Sequence, residues 1–597
     1  MPENRYRAAS VEDLFAIFDD APKIDAPQER VDLDGLFASL DAPARRASDD
    51  EKARAPKTAR IATIDFETDP GEPPIVDHDG RVVVPGRIIK PFAWGFFDGT
   101  LYASASGDDC VEKLIDHLMR LSEPHFIYAH NGGNFDFLFL LPYLEKDMMI
   151  INGRIVECRL GRHRLRDSYA IIPVALKAFG DKREIDIEKL HVTRRHKHMP
   201  EIMDYLRQDC VGLWKGVTEY ETRFGLSLTM ASTALGRLEQ TYGKKGEKIK
   251  RLSRAQDGEL RSYYYGGRVE CFRKGILQEP LKYYDVNSMY PYVMAGVDHP
   301  VGNVFIEQTE IDEKTDFAEI DAESKGALPV RTKDGLLFAH GRGTFRATGH
   351  EIRAGIETGT LTVHRVISAI SAVERDNFAD FVRPLYDMRL AAKERGDPID
   401  TLFLKLLLNS AYGKLALNPR TFQEHQITRI DAEDMPREDD GWSAIAMTDS
   451  YIVWARSIDE IAPEKINRKF VNVATAASIT GAARAHLARA IARAERVAYC
   501  DTDSVLAEAI DMPCDPNALG SWKVEAEADE AAIAAKKIYA LFRDGGCIKL
   551  ASKGVRLTAE DIRKVAMGGS VTWQSPVPKI KLTGHQIYTR REISLAR

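Results

Sequence analysis

Two groups of acidic side chains in this sequence have the types and spacings that divalent-metal chemistry needs. Arg496–Val505 is rich in strand formers and carries Asp501 and Asp503. Read as one strand of period two, it points both carboxylates to one face. Tyr283–Pro291 reads as a second strand, broken at Pro291, and supplies Asp285. Three converging carboxylates bind two Mg²⁺ ions through hard oxygen ligands and leave positions for phosphate oxygens; Mn²⁺ accepts the same ligands. Such a pair activates a hydroxyl for attack on a triphosphate and neutralises the leaving pyrophosphate.

The second group lies earlier. Asp65 and Glu67 end the apolar run Ile61–Phe66, which reads as a buried strand. Phe126–His130 reads as another strand, and the Gly-rich stretch after it, Asn131 to Asp136, adds a third acid. Tyr205 and Asp209 sit at i and i+4 of a helix over 201–224 and share a face. Four carboxylates and a tyrosine suit two ions that activate water against a phosphodiester, with Tyr205 orienting the water beside Asp209.

Cations and aromatic rings accompany the first group. Lys405, Asn409 and Tyr412 fall at i, i+4 and i+7 of a helix whose other face is a Leu run. They offer a point charge for a triphosphate, an amide, and a ring to stack on a nascent base pair. Gly413 would let that pair come close. Arg389 and Lys393, i and i+4 on an earlier helix, offer further triphosphate contacts.

The elements that position these groups need more than one core in 597 residues. Composition, 44% apolar and 29% charged, is that of a soluble globular protein. No apolar run reaches spanning length, so no membrane is expected and a cytoplasmic setting is the default. Seven scattered cysteines without a CxxC pair argue against a zinc ribbon or disulfide frame. The net charge of −7 does not exclude a nucleic-acid partner. Residues 1–58 hold 13 acids and 9 bases, −4 of that total, and a metal site concentrates carboxylates. Residues 1–58 read as a disordered extension. Within 11–41, Leu14–Asp19 is echoed by Leu36–Asp41, and these two segments resemble bacterial sliding-clamp binders. Residues 295–385 and 419–470 read as turn-rich insertions, and Ala531–Phe542 as a helix.

The order of motifs resembles family B DNA polymerases over about residues 59–560. DxE, Nx₃FD and Yx₃D are the pattern of their DnaQ-like 3′→5′ exonuclease domain. DxxSxYP, Kx₃NSxYG and YxDTDS are similar to their motifs A, B and C. The resemblance implies an α+β multidomain chain: a right-hand fold of palm, fingers and thumb behind an N-terminal RNase H-like exonuclease domain. It implies a template-directed DNA polymerase with proofreading, binding primer-template DNA and dNTPs. Tyr290 becomes the steric gate against a 2′-hydroxyl, and Val286 joins Asp285 in the metal and nucleotide set. Thr68, Asn131, Phe135 and Ser168 become ligands of a single-stranded end, with Lys182 the helper cation; Tyr169, after Ser168, departs from the pattern. Tyr264, Gly266 and Gly267 resemble the YxGG template contact, Thr480 and Arg484 the Tx₂(G/A)R contact, and Lys537 and Tyr539 the KxY primer clamp.

The long spacings from Pro291 to Lys405 and from Gly413 to Tyr499 resemble the protein-primed branch, found in phages, linear plasmids and mobile elements. That placement implies a terminal-protein docking insertion at 295–385 and a processivity and strand-displacement insertion at 419–470. The remaining boundaries are exonuclease 59–225, palm 226–294 and 471–530, fingers 386–418, and thumb with C-terminal region 531–597. No residue excludes a primer-independent relative. A catalytically inert DNA-binding scaffold would be expected to lose acids, and all seven are present.

Overall fold

The computed structural model describes residues 60–76, 82–84, 86–176, 185–243, 248–333, 335–461 and 471–595. Lys182 and the two echoed segments of 11–41 lie outside the described residues. The chain divides into two compact units. One comprises Met1–Thr233, Pro419–Ile466 and Ser575–Thr589; the other comprises Ala234–Asn418, Asn467–Gln574 and Arg590–Arg597.

The first unit is built on a ten-stranded sheet. Its centre is parallel: Arg60–Thr68 pairs with His125–Ala129, which pairs with His163–Asp167. Strand periodicity divides the side chains of Arg60–Thr68 cleanly. Ala62, Ile64 and Phe66 enter a core with Leu114 and Leu118 of the helix Cys110–Arg120. Thr63, Asp65 and Glu67 face the other way, and the Thr63 hydroxyl donates to the Cys210 carbonyl at 2.8 Å in the helix Met199–Phe224. The neighbouring strand Pro91–Phe97 needs a glycine there: a Cβ on Gly95 would lie 2.9 Å from Cys210 Sγ. Residues 419–470, expected to be turn-rich, instead supply three strands, Gln423–Arg429, Ser443–Met447 and Tyr451–Ser457. They extend this same sheet through pairing with Lys146–Ile151.

The second unit centres on a seven-stranded antiparallel sheet. Its order is Val269–Cys271, Tyr499–Asp501, Ser504–Ala507, Gly275–Val286, Trp522–Ala535, Ile538–Arg543, Gly546–Ser552. Around it run the helices Met289–Gly296, Ala379–Glu394, Pro398–Leu415 and Val473–Ala492.

Four local readings of the sequence are corrected in this unit. Residues 295–385 contain long strands, Phe317–Thr332 and Gly335–Thr348 among them, in a four-stranded sheet with the helix Gly349–Glu357. The Gly and Pro punctuation marks a register shift between Lys325 and Pro329, with Gly326 at φ +78°, inside a strand rather than a loop. Ala531–Phe542 is not a helix: Trp522–Ala535 and Ile538–Arg543 form a hairpin with Lys537 at φ 62°. Ala531 and Ile533 pack into one core while Ala532 and Ala534 pack into another, so burial on both faces overrides the helix propensity of alanine. The strand bearing Asp285 ends at Val286, not at Pro291. Ser288 is left-handed at φ 55°, and Pro291 lies in the first turn of Met289–Gly296, where a missing N–H costs nothing. Arg496–Val505 is likewise not one strand; it turns at Thr502, φ 56°, between Tyr499–Asp501 and Ser504–Ala507.

Candidate active sites

In the second unit the three acids of the first group meet at one end of the seven-stranded sheet. Asp285 lies opposite Ser504 on one neighbouring strand and opposite Lys523 on the other. Asp501 and Asp503 flank the Thr502 turn, and the Val286 N–H donates to the Asp503 carbonyl at 2.9 Å. Burial, then the charges of Asp285 and Asp501, pushes the Asp503 carboxyl well above the ordinary aspartate range. Burial, then Glu525, pushes Asp285 up to about 6. Carboxylates crowded in this way gain most from a cation that neutralises them together, so the donor set fits divalent metal. Among the described residues no group of three or more acidic, His or Cys side chains is gathered closely enough to hold a metal ion as the side chains stand. Asp285 leans instead on Lys523 at 3.4 Å, and Asp501 on Lys537 at 3.3 Å.

The helix Pro398–Leu415 buries Leu404, Leu406, Leu407 and Leu408 and leaves Lys405 and Asn409 half-buried, as its pattern predicts, whereas Tyr412, expected on the same open face, is buried. Lys405 lies in the fields of Asp285 and Asp503, with its pKa lowered by burial and by Arg389. The Arg389 guanidinium donates to Ser288 Oγ at 2.8 Å, whereas Lys393 is exposed. The rings of Tyr290 and Tyr412 stack at 4.1 Å and 13°.

The glycine pair after Tyr264 and Tyr265 has two separate uses. A Cβ on Gly267 would lie 2.7 Å from Thr502 Oγ1, so this glycine lets the main chain lie close against the Asp501–Asp503 hairpin. A Cβ on Gly266 would meet nothing within 4 Å, so that position faces open space. Several residues expected to touch DNA directly are buried instead. Thr480 donates to the Ala477 carbonyl at 3.1 Å, and Arg484 is spent on Glu351 and two carbonyls. The Tyr539 ring lies against Tyr283 and Tyr499. Lys523, Glu525 and Glu351 were not found from the sequence. The only available signal was the alternation of Lys523 and Glu525 along a strand not recognised as one.

In the first unit the Asp65 and Glu67 face of the central strand meets Tyr205 and Asp209 of the helix Met199–Phe224. The Tyr205 hydroxyl donates to Asp209, and burial, then Asp209, Glu67 and Asp65, raises its pKa. Asp136 begins the helix Asp136–Leu140 and accepts from the Phe66 N–H at 3.2 Å. Burial pushes its carboxyl up to about 7, against the pull of the Phe66 and Asp136 N–H groups. Asp65, Asp209, Asp136 and Glu67 all act on the buried Cys210 thiol, so the four acids share one neighbourhood. This donor set also fits divalent metal.

Asn131 is left-handed at φ 60° and accepts from the Asn134 amide, while the Phe135 ring meets Phe139 edge-on at 5.3 Å. Thr68 ends its strand half-buried. Ser168, expected to bind DNA, is fully buried and donates to the Ala129 carbonyl at 3.2 Å. Asp167 was missed: it accepts from the Gly133 N–H and from Arg154 at 2.8 Å, and so holds the loop before Asp136.

A family model described as DNA polymerase type B, organellar and viral, matches residues 182–497. The chain is 41% identical over 564 residues to the DNA-directed DNA polymerase of Enterobacteria phage PRD1, covering 89% of this chain and 98% of that one. It is 24% identical over 496 residues to the DNA polymerase of Streptococcus phage Cp-1, covering 74% and 82% respectively. Phi29 DNA polymerase complexed with primer-template DNA superposes at a TM-score of 0.67 with 18% identity, over 90% of this chain and all of that one. The same polymerase with primer-template DNA and incoming nucleotides gives 0.66. At that identity the likeness shows the fold: a palm, fingers and thumb polymerase with an exonuclease domain. The chain is a DNA-directed DNA polymerase and belongs to the type B DNA polymerases of the organellar and viral kind.

Proposed function

We propose that this polymerase also proofreads, and that it starts synthesis on a protein primer, replicating a linear viral or mobile genome in a bacterial cytoplasm. The observation that carries the proofreading reading is the packing of the Asp65 and Glu67 strand on the helix of Tyr205 and Asp209, through Thr63 Oγ1 on the Cys210 carbonyl at 2.8 Å, with Asp136 accepting from the Phe66 N–H at 3.2 Å. In the polymerising centre Asp285, Asp501 and Asp503, with the Val286 carbonyl, would hold divalent metal, Mg²⁺ by the hardness of the ligands. Bound there, the metal supplies charge neutralisation and hydroxyl activation. Lys405 and Arg389 meet the triphosphate, Asn409 and Tyr412 the nascent pair, and Tyr290 lies under the sugar. In the editing centre Asp65, Glu67, Asp136 and Asp209 would hold metal, with Tyr205 fixing the attacking water. Thr68, Asn131 and Phe135 line the route of the frayed primer end.

Protein priming is supported by the two long segments between motifs, and a viral source by the phage PRD1 relative at 41% identity. Ile306, Leu337 and Ile367 are exposed singly on three strands of the 295–385 sheet, and this reading assigns the protein partner to that sheet. The strands of 419–457 suit a processivity and strand-displacement role, and 11–41 suit clamp binding. Among the described residues no helix is long and apolar enough to cross a membrane.

The test is synthesis on a single-stranded circle with blocked ends, with and without an annealed DNA primer, in Mg²⁺ and labelled dNTPs. Product in the primed arm alone supports a separate protein starter. Product in both arms replaces protein priming with primer-independent initiation.

A further inference from the structure

Arg484 and Glu351 come from different parts of the second unit, and each is 3% exposed. Arg484 lies in the helix Val473–Ala492, and Glu351 lies in the first turn of the helix Gly349–Glu357 of the 295–385 segment. Arg484 Nε donates to Glu351 Oε1 at 2.7 Å and Nη2 to Oε2 at 3.0 Å. Its remaining arm, Nη1, donates to the carbonyls of Tyr265 at 2.6 Å and Gly266 at 2.8 Å. The carboxylate is itself fixed, because Thr348 Oγ1 and N–H both donate to Oε2, at 2.8 and 3.2 Å. The two helices touch closely enough that a Cβ on Gly481 would lie 2.2 Å from Thr348 Oγ1.

A planar guanidinium held from two sides by a bidentate carboxylate has one orientation available. That orientation fixes the Tyr265 and Gly266 carbonyls. Gly267 then rests on Thr502, whose N–H donates to the Arg268 carbonyl at 2.7 Å. A continuous chain of contacts therefore runs from Glu351 to the turn carrying Asp501 and Asp503.

We propose that Glu351 is a positioning residue for primer-template binding: through Arg484 it holds the Tyr264–Gly267 segment in the shape that receives DNA. This rests on reading that segment as a DNA contact, with Gly266 as its open side. Arg484 thereby acts on DNA through the main chain it supports and not by touching a phosphate.

Three variants test this, each measured for primer-template Kd by fluorescence anisotropy, kcat at saturating DNA, and thermal unfolding. Glu351→Gln weakens primer-template binding about ten-fold, the equivalent of one charge-assisted hydrogen bond, and lowers kcat at saturating DNA by a smaller factor. Glu351→Met/Arg484→Met removes both charges, which commonly preserves stability; it folds, yet still binds DNA weakly because the two carbonyls have lost their donor. Gly266→Glu puts a negative charge on the open side and weakens binding without disturbing the ion pair. Wild-type binding by Gly266→Glu removes the segment from the DNA path and overturns the proposal. Weak binding by Gly266→Glu with wild-type binding by the double variant overturns the role of Glu351 alone, leaving the pair a purely structural contact. The double variant decides the matter if Glu351→Gln fails to fold.

Discussion

Asp136→Asn offers a test of the editing centre that needs no substrate. Asp136 is 2% exposed, and burial pushes its carboxyl up to about 7 from an ordinary value near 3.8, with Asp167 adding repulsion. Between those values the folded chain holds a proton that the unfolded chain has released. Stability from this group is therefore fully present below about pH 4 and lost as pH rises through about 7. At about 1.4 kcal/mol per pH unit the whole loss is on the order of 4 kcal/mol, an upper bound because water and relaxation reduce it. Asparagine keeps an oxygen for the Phe66 N–H, carries no charge, and removes the loss. Urea unfolding in EDTA, followed from pH 4 to 8.5, is the assay. The variant gains stability over the parent progressively with pH, up to a few kcal/mol at pH 8. Adding Mg²⁺ at pH 8 narrows the difference, because metal binds the ionised parent and not the amide. Parallel stability curves for the two proteins in EDTA would refute the reasoning.

Other substitutions probe the rest of the account. Gly267→Ala drives a methyl against Thr502 and strains the hairpin by about 1–3 kcal/mol. Primer extension falls, and Thr502→Ala in the same chain restores part of it. Gly133→Ala places a Cβ 1.9 Å from the Ile155 carbonyl; single-strand degradation is lost, and primer extension measured at low temperature survives. Tyr290→Val opens the space beneath the sugar and lowers dNTP-over-rNTP selectivity, read as the ratio of kcat/KM, by at least about ten-fold.

The sequence reveals most where chemistry forces residue types into fixed spacings. Asp65 and Glu67 share a strand face, and Tyr205 and Asp209 a helix face, because period two and period 3.6 leave no other arrangement. The face of Lys405 and Asn409 follows in the same way from the Leu run behind it. Legibility fails where tertiary burial overrules local preference. The alanines of 531–534 suit a helix alone and become strand because each lies against a core on its own side of the sheet. The left-handed residues Ser288 and Thr502 break strands at positions that no Gly or Pro announces. Glu351 and Lys523 are invisible as motifs, since each acquires its partner only when distant segments pair. Arg484, conversely, is conspicuous in sequence, but its guanidinium serves the main chain.

The central claim is that one chain carries two separate metal-dependent centres, one for synthesis and one for editing. Asp503→Ala and Asp65→Ala, each checked for folding, should be assayed side by side for primer extension and for 3′→5′ degradation of a labelled single strand. The account predicts that Asp503→Ala abolishes extension and spares degradation, while Asp65→Ala abolishes degradation and spares extension. Loss of both activities in either folded variant would contradict it.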